Sequence, residues 1–194
     1  MERKKHFLFL DRDGVINTRL PGDYVTRPED FEFCEGALEA ITVLGRYFDR
    51  IVVVTNQAGV GKGLMSCDDL ALVHAHLRAR VEDYGGRLDA IYACPNRPAD
   101  QASCRKPDTG MALLAQKDFP EIVFEDSWMV GDSASDMEFG CKLGMKLAWV
   151  EGKTEDEAEL KRFTVNWQGL SLRAFSEFVQ QHSEIEVLKG LHLG

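Results

Sequence analysis

Two aspartates one residue apart, Asp11 and Asp13, close the apolar run Phe7-Leu8-Phe9-Leu10 and are followed at once by Gly14. A carboxylate at the end of a buried strand stands in the ligand crevice of an open α/β sheet, which lies outside the carboxyl ends of the strands. The turn at Gly14 lets Asp11 face a substrate while Asp13 leans over it. Three further clusters follow apolar runs or precede a helix: Thr55-Asn56 after Val52-Val53-Val54, Arg105-Lys106 before Pro107, and Asp132 with Asp136 after Trp128-Met129-Val130-Gly131. These are the parts needed to move a phosphoryl group, where catalysis is mostly positioning and charge stabilisation. Asp11 suits the nucleophile, because a carboxylate can form an acyl phosphate and split one difficult displacement into two. Asp13 suits the acid that protonates the leaving alkoxide and the base that then activates water. So many carboxylates would repel a polyanion unless a hard divalent cation with oxygen ligands lay between them. Mg²⁺ held by Asp11, the backbone carbonyl of Asp13 and Asp132 is expected, with the Thr55 hydroxyl and the Lys106 ammonium on the remaining phosphoryl oxygens.

Positioning these groups takes an alternation of strands and helices. The β-branched run at 51–54 reads as a second strand, 88–94 as a third, 128–130 as a fourth and 147–150 as a fifth, with a short one at 163–165. Apolar residues at helical spacing mark helices over 35–47 (Leu38, Ile41, Leu44) and 68–84 (Leu70, Val73, Leu77, Val81), with others over 110–117 and 172–180. Such alternation predicts an α/β fold with a doubly wound parallel sheet covered by helices on both faces. The chain shows no repeat or interdomain linker, and one domain over residues 1–194 is expected. The residues from His182 onward carry the weakest pattern and are expected to be partly mobile.

Composition narrows the partners. A formal charge of −9 argues against nucleic acid or an anionic membrane, both of which need a basic surface. No apolar run is long enough for a signal peptide or a membrane span. Five scattered cysteines, Cys34, Cys67, Cys94, Cys104 and Cys141, fit a reducing cytoplasm better than a disulfide framework. A cytoplasmic monomer acting on a small phosphorylated molecule is the expectation.

Other signals are weaker. The run from Asn56 to Gly63 has Asn56 where a P-loop needs glycine and Gly63 after Lys62, so it is a strand-to-helix turn rather than a nucleotide-binding loop. Its amides and Lys62 could still touch a distal phosphate. His74 and His76, two apart on a helix, read as surface residues, and the three tryptophans as packing residues. The acidic stretch over 151–159 reads as a solvated face. Arg12 fits a substrate contact and a supporting side chain equally well, and Asp136 fits a helix cap as well as a support of the metal end.

Together, Asp11-x-Asp13-Gly14, Thr55-Asn56, Lys106 and Gly131-Asp132-x-x-x-Asp136 resemble the four motifs of the haloacid dehalogenase superfamily of phosphatases. More narrowly, Phe9-Leu10-Asp11-Arg12-Asp13-Gly14, Asp23-Tyr24-Val25, Val54-Thr55-Asn56-Gln57 and Cys104-Arg105-Lys106-Pro107 look like the branch that holds heptose 1,7-bisphosphate phosphatases and histidinol phosphatases. The resemblance runs over about 7–150 and implies an essentially capless phosphatase, with the C7 phosphate of D-glycero-D-manno-heptose 1,7-bisphosphate as the substrate and histidinol phosphate as the alternative. It makes Arg105 and Asn56 contacts to the substrate or leaving group. A phospho-accepting receiver module shares the clustered acids, threonine and lysine, but its chain order differs. The branch often carries structural zinc on Cys-x-His and Cys-x-Cys; here Cys94-Pro95-Asn96 and Ala102-Ser103-Cys104 keep two of those four ligands. Tetrahedral structural zinc needs all four, so Cys94 and Cys104 are expected to sit reduced, without metal, in a shortened loop.

Overall fold

The computed structural model describes residues 5–20, 22–152 and 157–191. Six strands, β1 Phe7–Leu10, β2 Arg50–Asn56, β3 Ala90–Cys94, β4 Trp128–Gly131, β5 Lys146–Val150 and β6 Trp167–Gly169, form one sheet in the order β3-β2-β1-β4-β5-β6. Every neighbouring pair is parallel, as the α/β reading predicts. The helices between them are α1 Ala37–Leu44, α2 Ala58–Gly61, α3 Cys67–Asp83, α4 Gly110–Asp118, α5 Ala134–Lys142, α6 Glu157–Leu160 and α7 Leu172–Leu191.

Parallel strands covered on both faces read as unbroken apolar runs, and here each face takes alternate residues. Leu8, Leu10, Ile51, Val53 and Val130 join Ile41 and Leu44 of α1, Val73 and Leu77 of α3 and Phe175 of α7. Phe7, Phe9, Val52, Val54 and Met129 join Met111 and Ala115 of α4 and Met137 and Phe139 of α5. With β1 wholly buried, each of its side chains contributes roughly 1.5–3 kcal/mol, so its end is a rigid place from which to present Asp11. Trp149 is buried in the core and Trp128 and Trp167 pack on Phe175 and Phe178. Among the described residues no helix is long and apolar enough to cross a membrane.

Two expectations change. The sixth strand lies at Trp167–Gly169 rather than at 163–165, because Phe163 and Val165 pack into the core beside α5 while Asn166 clamps Leu147, and the ladder opens only at Ala148 and Trp167. α7 runs to Leu191, and 192–194 lie outside the described residues. Cys94 and Cys104 are not reduced but bonded to each other, with Cα atoms 5.4 Å apart. The loop after β3 folds back on itself and brings the two sulfurs together, a proximity across ten residues that cysteine counting cannot see. Of the acidic stretch over 151–159, Glu151 and Glu159 are exposed and 153–156 lie outside the described residues.

Candidate active site

The chain leaves β1 to build β2 and β3 on one side, then crosses to β4 on the other, so the connections diverge between β1 and β4. A crevice opens at such a switch point. Leu10 is paired with Val130, and the Asp11 amide extends the ladder by donating to the Val130 carbonyl at 2.9 Å. That fixes Asp11 and Asp132 as neighbours, with Asp11 lining a cavity of about 680 Å³.

Lys106 is buried and gives its ammonium to Asp11 Oδ1 at 2.7 Å, Asp136 Oδ1 at 2.6 Å and the Val54 carbonyl at 2.7 Å. Burial alone would strip its proton, but Asp11 and Asp136 outweigh that and hold the ammonium above its ordinary range. Burial pushes the Asp11 carboxyl up to about 6, opposed by Lys106 and reinforced by Asp136 and Asp13. Asp136 caps a helix, one of the two roles open to it in the sequence, and faces Lys106. Its Oδ2 takes the Ser133 amide at 3.1 Å and hydroxyl at 2.6 Å in a capping box that starts α5, while Oδ1 faces Lys106. Gly131 makes this possible, since a Cβ there would fall 2.2 Å from Asp136 Cβ.

Asp13 is gripped on both oxygens. Oδ1 accepts from Arg12 Nη2 at 2.8 Å and Asn17 Nδ2 at 3.0 Å, and Oδ2 accepts from Gln57 Nε2 at 2.6 Å. Burial would raise its carboxyl, but the Arg12 guanidinium and the two amides outweigh burial and hold it below the usual carboxylate range. Arg12 is therefore a supporting residue: it is fully buried, and its other arm meets His74 Nε2 at 3.2 Å. His74 is not on the surface, as its spacing from His76 suggests. α3 turns it inward, and burial followed by repulsion from Arg12 pushes its imidazole down to about 4.

The acids around Asp132 fit a cation. Carboxylate oxygens of Asp11, Asp132 and Asp136 lie within 4.8 Å of one another. Burial and the neighbouring Asp11 and Asp136 push the Asp132 carboxyl up to about 7. Besides Lys106, a second cation stands among these oxygens: Arg19 Nη2 lies 2.8 Å from the Asp13 carbonyl, 2.6 and 2.8 Å from the two Asp132 oxygens and 4.0 Å from Asp11 Oδ2. Gly14, at φ +97°, leaves the space that Asp132 fills, for a Cβ there would sit 2.0 Å from Asp132 Oδ2. A hard divalent cation prefers such an all-oxygen set.

Thr55, Asn56, Arg105 and Lys62 line the cavity wall. The Thr55 hydroxyl oxygen accepts from Gln57 Nε2 at 2.8 Å. Asn56 spends its amide on the Lys106 main chain, donating to the carbonyl and accepting from the amide at 3.0 Å each, and so brackets Lys106 in place. Arg105 is half-buried, with Nη1 on the Asn96 carbonyl at 3.2 Å, and Lys62 lies 5.2 Å above the Tyr24 ring. The clusters read from the sequence thus meet in one cavity. That reading gives no role to Arg19 or Asn17, names Gln57 only within a motif and places His74 on the surface. Asn17 and Gln57 flank motifs already singled out, but an arginine six residues after Asp13 carries no signal until the loop folds back.

Residues 103–169 match the family model for HAD-hydrolase-like proteins. The chain is 44% identical over 131 residues to the D-glycero-alpha-D-manno-heptose-1,7-bisphosphate 7-phosphatase of Mycobacterium bovis, an alignment covering 68% of this chain and 69% of that protein. It is 37% identical over 153 residues to the D-glycero-beta-D-manno-heptose-1,7-bisphosphate 7-phosphatase of Pseudomonas putida, covering 78% and 86%. Among solved structures, the D,D-heptose 1,7-bisphosphate phosphatase of B. bronchiseptica, complexed with magnesium and phosphate, superposes with a TM-score of 0.81 at 28% identity over 91% of this chain and 98% of that one.

Proposed function

Because the chain belongs to the HAD-like hydrolases, in the branch of the heptose-1,7-bisphosphate 7-phosphatases, we propose that it hydrolyses the C7 phosphate ester of D-glycero-D-manno-heptose 1,7-bisphosphate through an aspartyl phosphate on Asp11. The observation that carries this is the nucleophile's setting: Asp11 at the β1–β4 switch point, held by Lys106, with the Asp13 carboxylate near enough to repel its charge. A carboxylate oxygen of Asp11 attacks phosphorus, the bond from phosphorus to the sugar oxygen breaks, and that oxygen takes the proton from the protonated form of Asp13, a strong donor because Arg12, Asn17 and Gln57 favour its charged form. Water then attacks the aspartyl phosphate, giving its proton to Asp13 and releasing inorganic phosphate and the Asp11 carboxylate. Asp13 as gripped by Arg12, Asn17 and Gln57 is a ready base for this second half.

Asp11, the Asp13 carbonyl and Asp132 would hold Mg²⁺, which neutralises charge on the phosphoryl group in flight; the magnesium and phosphate in the B. bronchiseptica relative support that choice. Thr55 and Lys106 take phosphoryl oxygens, and Asp136 keeps Lys106 aimed. Arg105, Asn56 and Lys62 line the wall where the sugar and its second phosphate would lie. The test is phosphate release from both anomers of the heptose bisphosphate and from histidinol phosphate, with Asp11→Asn as the blank. Heptose bisphosphate should be favoured by roughly a hundredfold or more in kcat/KM, because a site built for charged and hydroxyl groups strongly rejects a ligand lacking them. A preference for histidinol phosphate would overturn the substrate assignment and leave the chemistry intact.

A further inference from the structure

Arg19 is a charged side chain lining the cavity to which the reaction assigns no role. Its Nη2 is held by the Asp13 carbonyl, by both oxygens of Asp132 and, at 4.0 Å, by Asp11 Oδ2. These are the three residues, and in Asp13 the same main-chain atom, to which the preceding section gives the divalent cation. The inference rests on that reading. A guanidinium nitrogen and a metal ion need the same lone pairs, so they cannot be seated together.

Two features make Arg19 the group that gives way. Its Nε is buried without an acceptor, so this pose leaves one donor unsatisfied and is not a closed structural network. Its side chain is about one-third exposed, against 2% for Asp132 and 2% for Lys106, and it borders the open cavity beside Leu20 and Asp23. Swinging it outward therefore disturbs no core packing. Charge explains why the seat is filled. Among the described residues, Asp11, Asp13, Asp132 and Asp136 pair only with Lys106 and Arg12 once Arg19 is set aside, and four carboxylates beside two cations would repel one another.

We propose that Arg19 is a built-in competitor of the divalent cation: it seats its guanidinium on the metal's own oxygens, must be displaced for the metal to load, and so raises the metal concentration at which the enzyme becomes active. The affinity of a metal for such a protein is reduced by the fraction of molecules with the seat free.

The experiment is direct binding of Mn²⁺, followed by electron paramagnetic resonance, to the full-length wild type and to Arg19→Gln, Arg19→Lys, Lys62→Gln and Asp132→Asn. Arg19→Gln should tighten Mn²⁺ roughly tenfold or more, since removing the occupant restores the full free fraction. Arg19→Lys, which keeps the charge but loses the forked reach, should tighten it less, and serves alone if the glutamine variant does not fold. Lys62→Gln removes the same unit of charge from the cavity without touching the seat and should shift affinity by less than about threefold. In chelator the melting temperature of Arg19→Gln should fall below that of the wild type and recover with Mn²⁺. Unchanged affinity in both Arg19 variants, or equal tightening in Lys62→Gln, would overturn the competition while leaving the metal site standing. Wild-type Mn²⁺ binding that is absent, or that survives Asp132→Asn, would overturn the metal site and the inference with it.

Discussion

At the scale of single residues, the site is a balance among buried charges, and each can be removed alone. Asp13→Asn keeps the shape and one acceptor oxygen for Arg12 and Asn17, gives up the bond from Gln57, and cannot carry a proton. It should lower kcat by about 10²–10⁴-fold with little change in metal affinity, measured by steady-state phosphate release beside Mn²⁺ titration; unchanged turnover would remove Asp13 from the proton path. Lys106→Ala leaves Asp11 and Asp136 facing each other with no cation between them. Breaking one partner of a buried ion pair costs about 3–5 kcal/mol, so urea unfolding should show a loss of that size together with loss of activity. The aspartates and the lysine were legible in the sequence because their types and spacing are themselves the chemistry. Arg19 was not, because an arginine in a polar loop has no distinguishing neighbour along the chain.

At the scale of elements, strand ends and turns do the aiming. Gly14 lets the turn after β1 run at φ +97° and leaves the volume that Asp132 occupies. Gly14→Ala should destabilise the fold by about 1–3 kcal/mol, from left-handed backbone strain and the displaced carboxylate, and weaken Mn²⁺ binding. Thermal melts and metal titration of the same variant check both. α3 carries His74 to Arg12, and the imidazole stays neutral in the fold down to about pH 4. The unfolded chain protonates near pH 6.5. Between these values the unfolded state binds the extra proton, so this residue's contribution is full above pH 6.5 and is lost as pH falls toward 4. His74→Gln should remove that slope, so its unfolding free energy relative to wild type should rise between pH 7 and pH 4.5. Parallel profiles would show that His74 takes up its proton without leaving Arg12.

At the scale of the molecule, the switch point between β1 and β4 collects groups from five separate stretches into one cavity. A ligand that binds only the assembled site stabilises the whole fold by mass action. Saturating Mg²⁺ at a hundred times its Kd should add about 2.7 kcal/mol, which for a chain of this length is a rise of about 5–10 °C in Tm. Chelator should abolish the rise, and scanning calorimetry with and without Mg²⁺ reads it. An unchanged Tm would mean that the acids hold no metal.

The sequence by itself determined the strands β1 to β5, the helices whose apolar faces repeat at helical spacing, and the aspartates, threonine and lysine of the site. Each follows from local periodicity or from chemistry confined to a few neighbouring residues. Only the tertiary structure decided what those groups touch. It turned His74 inward to brace Arg12, put Asn56 on the Lys106 main chain, joined Cys94 to Cys104, moved the sixth strand to Trp167–Gly169, and seated Arg19 among the acids 113 residues away. Side-chain partnerships across the fold depend on which surfaces the packed helices and loops bring within about 3 Å, and no pattern along the chain encodes that distance.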